Sequence, residues 1–279
     1  MSWESVTVRE MPPRPELEQL AGGYRRIPVA QIGADIFCDS TTIAAEIARI
    51  SGRANLALET CDPEVHDFAN RLDSEWFLAC FGTALGKNLI KKLLKTLSLL
   101  DFGRFMWDRI KMGRKSSLEQ ISGKEANAVA REHLERMEKM LEGGFLFGDQ
   151  PNIADFSAYH GLWFIQDVAE LNLIMNYPSV IAWMERIKAF GHGKKTDISA
   201  ERAIDIATGQ KARPSPSDNQ DEELIGQLVS ISPSDYGKDP VKGVLVANLA
   251  HSWILERRVN GLSTVNVHFP KQGFTLKPE

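Results

Sequence analysis

Cysteine is scarce in this chain: Cys38, Cys61 and Cys80 are odd in number and form no C-x-x-C pair, which argues against a disulfide framework and suits a reducing compartment. The six histidines lie far apart, without an H-E-x-x-H or Cys/His grouping, so no metal site is expected. No run approaches the ~18 uninterrupted apolar residues of a membrane span. The richest window, Leu162 to Met184, is broken by Gln166, Asp167 and Glu170. Glu4, Arg9 and Glu10 interrupt any apolar leader at the N-terminus, so a secretion signal is not expected and a cytoplasmic location is. Positive charge is not in excess either: 33 Lys and Arg against 37 Asp and Glu leave a net charge of −4, which makes nucleic acid a poor partner.

What is present is a globular composition, 43% hydrophobic and 25% charged, close to the average of soluble domains. A length of 279 residues predicts two or three domains at ~100–200 residues each. Ser5-Val6-Thr7-Val8 reads as a strand, and Met11 to Gly23, with three prolines and two glycines, as a loop. Val29-Ala30-Gln31-Ile32 and Ile36-Phe37-Cys38, joined by Gly33-Ala34-Asp35, read as a hairpin. Ile43, Ile47 and Ile50 then mark one face of a helix. From about Pro63 to Thr208 the pattern is helical: Val65, Phe68, Leu72 and Trp76 share one face, and Leu85, Leu89, Ile90, Leu93, Leu94 and Leu97 another. A helix over Gly123 to Glu142 turns Ala126, Val129, Ala130, Leu134, Met137 and Leu141 inward and stops at Gly143-Gly144. Lys211 to Glu223 has no aliphatic residue beyond Ala212 and reads as a linker. Beyond it, short apolar runs between turn clusters such as Asn260-Gly261 predict a small β-barrel-like domain.

The densest chemical signal is Gly22 to Ser40. Pro28 opens a strand and cannot donate a ladder hydrogen bond, which leaves neighbouring backbone groups free for a peptide-like ligand. Asp39-Ser40 stands where a strand ends and a helix begins, and free N–H groups and the helix field there favour a carboxylate. The plainer reading is that Pro28 shapes a turn and Asp39 or Ser40 caps a helix. With Ile27-Pro28-Val29 and Asp39-Ser40 in this order, the segment resembles the glutathione S-transferase superfamily: the strand opened by a cis-proline in its thioredoxin-like domain, and the acidic-hydroxyl pair after the hairpin. The resemblance implies that the Ile27 backbone holds the cysteinyl part of glutathione, that Pro28 fixes the turn before Val29, and that Asp39 and Ser40 bind the γ-glutamyl amine and carboxylate.

A second stretch agrees. Phe147 to Phe156 resembles the start of a buried helix in the family's second domain, with Asn152 as cap and Asp155 as its reciprocal partner; both readings make Asp155 structural. Pro178-Ser179-Val180 with Trp183 and Arg186 resembles the helix that follows, so the likeness extends over roughly residues 1 to 208. It departs at the front. Family members open with a strand and helix whose junction carries the thiol-activating Tyr, Ser or Cys, whereas Ser2 to Val8 already resembles the second strand. The expectation is therefore a truncated N-terminus with no catalytic residue, although a thiol of pKa ~8.5 needs a donor or positive field to ionise at neutral pH.

Three other features carry two readings each. Tyr159, His160 and Trp163 with Phe164 line an electrophile pocket by the resemblance, or are simply core. Lys87, Lys91, Lys92 and Lys95, on a helix with Leu89, Leu93 and Leu97, form a basic amphipathic face that meets an acidic partner or membrane surface, or only water. Tyr236 to Pro240 is a barrel loop that recognises a partner, or a loop whose Gly, Asp and Pro β-turn chemistry explains without any ligand.

The expected fold class is α+β: a truncated thioredoxin-like half-domain at 1–50, an all-helical transferase-type domain at 56–208, a polar linker at 209–223 and a small β-barrel-like domain at 224–279. The resemblance implies glutathione as co-substrate or ligand with no other cofactor, a small-molecule electrophile as substrate, and a homodimer. The alternative is a binding or scaffold protein without turnover.

Overall fold

The computed structural model describes residues 1–9, 11–117, 123–216, 219–221, 223–259 and 263–279. The Asn260-Gly261 turn, and Ser217, Asp218 and Glu222 of the predicted linker, lie outside the described residues. In chain order the elements are β1 (Ser2–Ser5), α1 (Pro15–Ala21), β2 (Val29–Ile32), β3 (Asp35–Cys38), α2 (Ser40–Ser51), α3 (Pro63–Arg71), α4 (Phe77–Ala84), α5 (Lys87–Thr96), α6 (Leu99–Lys115) and α7 (Gly123–Met140). There follow α8 (Ile153–Trp163), α9 (Pro178–Ala189), β4 (Lys194–Asp197), α10 (Ala200–Gly209), β5 (Leu228–Pro233), β6 (Val241–Asn248), β7 (Ser252–Val259), β8 (Ser263–Pro270) and β9 (Phe274–Pro278). The chain divides into two units: residues 1–46, 107–118 and 193–279, and residues 47–106 and 119–192.

In the first unit, the described strands form a seven-stranded sheet in the order β2-β3-β8-β7-β6-β5-β9. Strand β6 alternates buried and open positions along its length, as a two-residue period requires. Strand β3 is buried at every position and lies inside the sheet, antiparallel to β2 and parallel to β8, with Ile36 opposite Val267. This overturns one expectation: the strands after the linker do not close into a barrel, and the hairpin shares their sheet. The physical reason is one edge: β3 occupies the free side of β8, β9 pairs with β5, and the sheet ends on β2 and β9. Ile36, Ile231, Leu245, Leu255 and Val267 pack its core with Leu20 and Ala21 of α1 and Ala207 of α10.

Helix α1 stands where prolines suggested a loop. Pro15 occupies its first turn, where a missing N–H costs nothing, and Gly22 ends it with φ of 70°. The edge strand β2 is guarded by α10: Gln31 Nε2 donates to Ala203 O at 2.9 Å. Strand β1 pairs in parallel with β4, Ser2 opposite Lys194, in a small second sheet, whereas Val6 and Val8 lie outside it. The predicted linker is fastened to the sheet: Arg213 N–H donates to Asp35 Oδ2 at 3.0 Å and Asn266 Nδ2 to Arg213 O at 3.2 Å.

The second unit is helical, with Phe68, Leu72, Trp76, Leu134, Met137, Leu162, Val180 and Trp183 in its core. Helix α7 buries Ala126, Ala130, Leu134 and Met137, the face that the spacing predicts. Helix α8 carries Gly161 against the Trp76 ring; a Cβ there would stand 2.6 Å from Trp76 Nε1 and 3.0 Å from Cys80 Sγ. Trp76 is fully buried and its indole donates to Ala158 O, so it has nowhere to move. Gly161→Ala is expected to cost about 2 kcal/mol through overpacking, read as a lower urea midpoint of the whole chain. An unchanged midpoint would mean that α8 and the Trp76 segment are not packed this closely.

Candidate functional site

The Ile27–Pro28 peptide bond is cis and opens β2, and Val29 stands opposite Cys38 across the hairpin. That register places Ile27 and Pro28 beside Asp39 and Ser40 at one end of the hairpin, so the structure gathers the five residues singled out by the sequence. Ile27 is 50% exposed, Pro28 and Ser40 are exposed, and Val29 turns its side chain toward the sheet core. Asp39 sits at φ of 82°, in the left-handed region. One carboxylate oxygen caps α2 by accepting from Thr41 N–H at 3.0 Å, as the plainer reading of the sequence requires. The other lies 4.0 Å from Arg26 Nη1. The Ser40 hydroxyl has no hydrogen-bond partner among the described residues.

Arg26 is the centre of what the sequence left unassigned. Its guanidinium donates to Asp235 Oδ1 and, at 2.6 Å, to Tyr236 O, and it stacks over the Tyr236 ring at 4.0 Å. Arg25 beside it bonds both Asp108 oxygens at 2.8 Å and reaches Asp239 at 3.4 Å. The loop from Asp235 to Asp239 is thus docked on the residues that precede Pro28. An Arg-Arg pair directly before Ile27-Pro28 was the signal available in the sequence. Two buried polar atoms here lack a hydrogen-bond partner among the described residues, Arg26 Nε and Tyr24 Oη. Burial, followed by the charge of Asp39, pushes the Tyr24 phenol far above its ordinary pKa, and burial raises Tyr236 against the lowering effect of Arg26. Both remain neutral donors at physiological pH.

No thiol in the protein is poised as a nucleophile. Burial, and then Asp39, raises Cys38 well above the ordinary range, and burial raises Cys80 and Cys61; all three are free. Among the described residues no group of His, Cys, Asp and Glu is arranged to hold a metal, and no helix is long and apolar enough to cross a membrane.

The aromatic candidates lie on α8 in the helical unit. His160 and Trp163 pack on Phe164 at 5.3 and 5.2 Å between ring centroids, and His160 also stacks on Phe77 at 5.2 Å. Tyr159 meets Trp183 edge-on at 6.2 Å, on the core side. The structure therefore gathers two of the three and turns the third away, as one step of 100° around a helix dictates. Burial lowers the His160 pKa, so its ring is a neutral aromatic wall.

The family profile described as glutathione S-transferase, C-terminal domain, matches residues 120–186. Among solved structures, a GST-like protein from Pseudomonas syringae is 30% identical; the match covers 99% of this chain and 91% of that one, with a TM-score of 0.78. A glutathione S-transferase from Rhodospirillum rubrum F11 is 15% identical over 68% of this chain and 73% of its own, with a TM-score of 0.38. A glutathione S-transferase of class Gtt2 from Vibrio parahaemolyticus is 13% identical over 73% and 84%, with a TM-score of 0.42. No curated protein matches the chain.

Proposed function

The chain belongs to the glutathione S-transferase superfamily, and from that premise we propose that it binds glutathione at the open end of the β2–β3 hairpin and, where a thiol-activating segment is supplied, transfers it to a small electrophile. The observation that carries the reading is the meeting of the cis Ile27–Pro28 bond with Asp39 and Ser40 at one end of the hairpin. The Ile27 backbone receives the cysteinyl part of the tripeptide. Asp39 takes the γ-glutamyl amine, and Ser40, at the start of α2, takes its carboxylate. Val29 and Pro28 hold the strand in place. The protein acts as a homodimer, and it works in the cytoplasm. The reaction is attack of the glutathione thiolate on an electrophilic carbon, with the leaving group or an addition proton completing the balance.

A binding role without turnover is favoured by one observation: the cysteine of the hairpin, Cys38, is fully buried in the sheet core, away from a ligand on the exposed Ile27 and Ser40. Titration calorimetry of the 279-residue chain with glutathione separates binding from chemistry. A Kd of about 1 mM or tighter is expected, corresponding to about −4 kcal/mol, and Ser40→Ala and Asp39→Asn are each expected to weaken it about ten-fold, the worth of one hydrogen bond to a charged group. A folded chain that takes up no glutathione would overturn the reading. Binding without glutathione-dependent consumption of a chloronitrobenzene would leave the binding role in its place.

A further inference from the structure

Helix α5, Lys-Asn-Leu-Ile-Lys-Lys-Leu-Leu-Lys-Thr, carries four lysines and no acid, in a chain whose net charge is −4. At 100° per residue, Lys87, Lys91 and Lys95 fall along one line and Ile90 and Leu94 along the next. The sequence reading expects the apolar face to be core, yet no residue of α5 is buried. Leu89, Leu93 and Leu97 are half-buried, whereas Ile90 is 49% and Leu94 43% exposed. Leu85 before the helix and Leu99 and Leu100 after it are more open still, at 57%, 82% and 76%.

The helix is fastened by its other flank. Asn88 Nδ2 donates to Ala169 O at 3.2 Å, and Lys92 Nζ donates to Asp167 O at 3.0 Å and to Glu170 Oε1 at 3.1 Å. Those bonds turn the boundary between Ile90, Leu94 and the three remaining lysines away from the helical unit. Lys87, Lys91 and Lys95 form no ion pair among the described residues. A strip of aliphatic side chains bordered by lysines whose stems can lie along it is the arrangement of a helix seated in a lipid headgroup layer. Charge selects the occupant. A second copy placed face to face would bring the same lysines together, which is unfavourable, whereas anionic headgroups offer a complementary sheet of charge.

We propose that α5, with Leu85, Leu99 and Leu100 at its ends, docks this protein on the surface of bilayers containing anionic phospholipid. The test is co-sedimentation of the full chain with vesicles of phosphatidylcholine alone and with vesicles in which about one lipid in three is phosphatidylserine, near the charge of an anionic leaflet. The chain is expected to sediment with the second and not the first, and to be released by high salt. Replacing Lys87, Lys91 and Lys95 together by glutamine is expected to lower partitioning by roughly 100-fold, at about five-fold for each lysine near the surface. Leu94→Ser is expected to reduce it while leaving the salt dependence in place. All four positions are exposed, and circular dichroism checks that the variants fold. Equal sedimentation with both vesicle types, no sedimentation with either, or binding unchanged by the triple lysine variant would overturn the proposal. So would concentration-dependent self-association that Leu94→Ser abolishes, since that would assign the face to a second copy.

Discussion

Replacing Asp155 by alanine is expected to destabilise the helical unit by about 4 kcal/mol, the sum of several buried donors left without an acceptor at 1–3 kcal/mol each. Asp155 is fully buried. Its Oδ1 accepts from Leu146 N–H at 3.0 Å and from the Trp183 indole at 2.8 Å, and its Oδ2 accepts from Asn152 N–H at 3.0 Å. Asn152 answers by accepting from Ala154 N–H at 2.9 Å, so two residues satisfy the start of α8 reciprocally. The carboxyl is raised by burial, against the lowering effect of these same bonds. A folded-state pKa above the unfolded one means that the folded chain holds the proton longer, so this group's contribution falls as pH rises through the interval between the two values. Its value at neutral pH lies in the hydrogen bonds rather than in its charge. Asp155→Asn keeps one acceptor but turns an NH2 toward a donor, and an intermediate loss is expected. Urea unfolding followed by near-ultraviolet circular dichroism of Trp183 reads both variants; a midpoint unmoved by Asp155→Ala would refute the capping assignment.

The second large effect is expected in the sheet unit, at Asp35. This residue is 2% exposed; its Oδ1 lies 2.8 Å from His268 Nε2, and its Oδ2 accepts from Arg213 N–H at 3.0 Å and Nε at 3.3 Å. Arg213 continues to Glu46 at 3.0 Å, and His268 stacks on Phe37 at 4.4 Å. The network ties β3, β8, α2 and the polar segment before β5. Asp35→Ala is expected to cost about 3 kcal/mol, toward the low end for breaking a buried pair because the Arg213 side chain is partly solvated. Burial alone would raise this carboxyl, but the His268 bond, the Arg213 N–H and the nearby charge outweigh it and hold it below the ordinary range. A depressed folded pKa contributes stability that is complete above the unfolded carboxylate value of about 3.9 and is lost as pH falls below it. The urea midpoint of the parent chain is therefore expected to drop on acidification below about pH 4, and Asp35→Asn to drop less. Parallel acid limbs in the two chains would remove Asp35 from the account.

Local devices were legible in the sequence, and partners distant along the chain were not. The capping box at Asn152 and Asp155 is written within four residues, and the α7 face within five turns, because the chemistry that fixes each is contained in the element. The hairpin was legible for the same reason, and the cis Ile27–Pro28 bond and the placement of Asp39 and Ser40 came with it through the resemblance. A period of two says which residues turn inward but not which strand lies alongside, so the pairing of β3 with β8 and of β1 with β4 was hidden. Arg213 was hidden by its polar setting: a segment too polar to make a core can still be anchored by hydrogen bonds. Arg26 was passed over because its acidic partner Asp235 is more than two hundred residues away. The face of α5 shows the converse error, a helical period taken as a sign of burial.

That β3 lies between β2 and β8 also orders events during synthesis. The hairpin leaves the ribosome more than two hundred residues before Ser263–Pro270. The intervening helical unit, by contrast, draws its residues from the middle of the chain and can gather its core while the remainder is still being made. The hairpin meanwhile waits with its inner edge unsatisfied, a long loop to close and the apolar side of Ile36 uncovered. The candidate ligand site, built on that hairpin, is thus completed only once Ser263–Pro270 has been made.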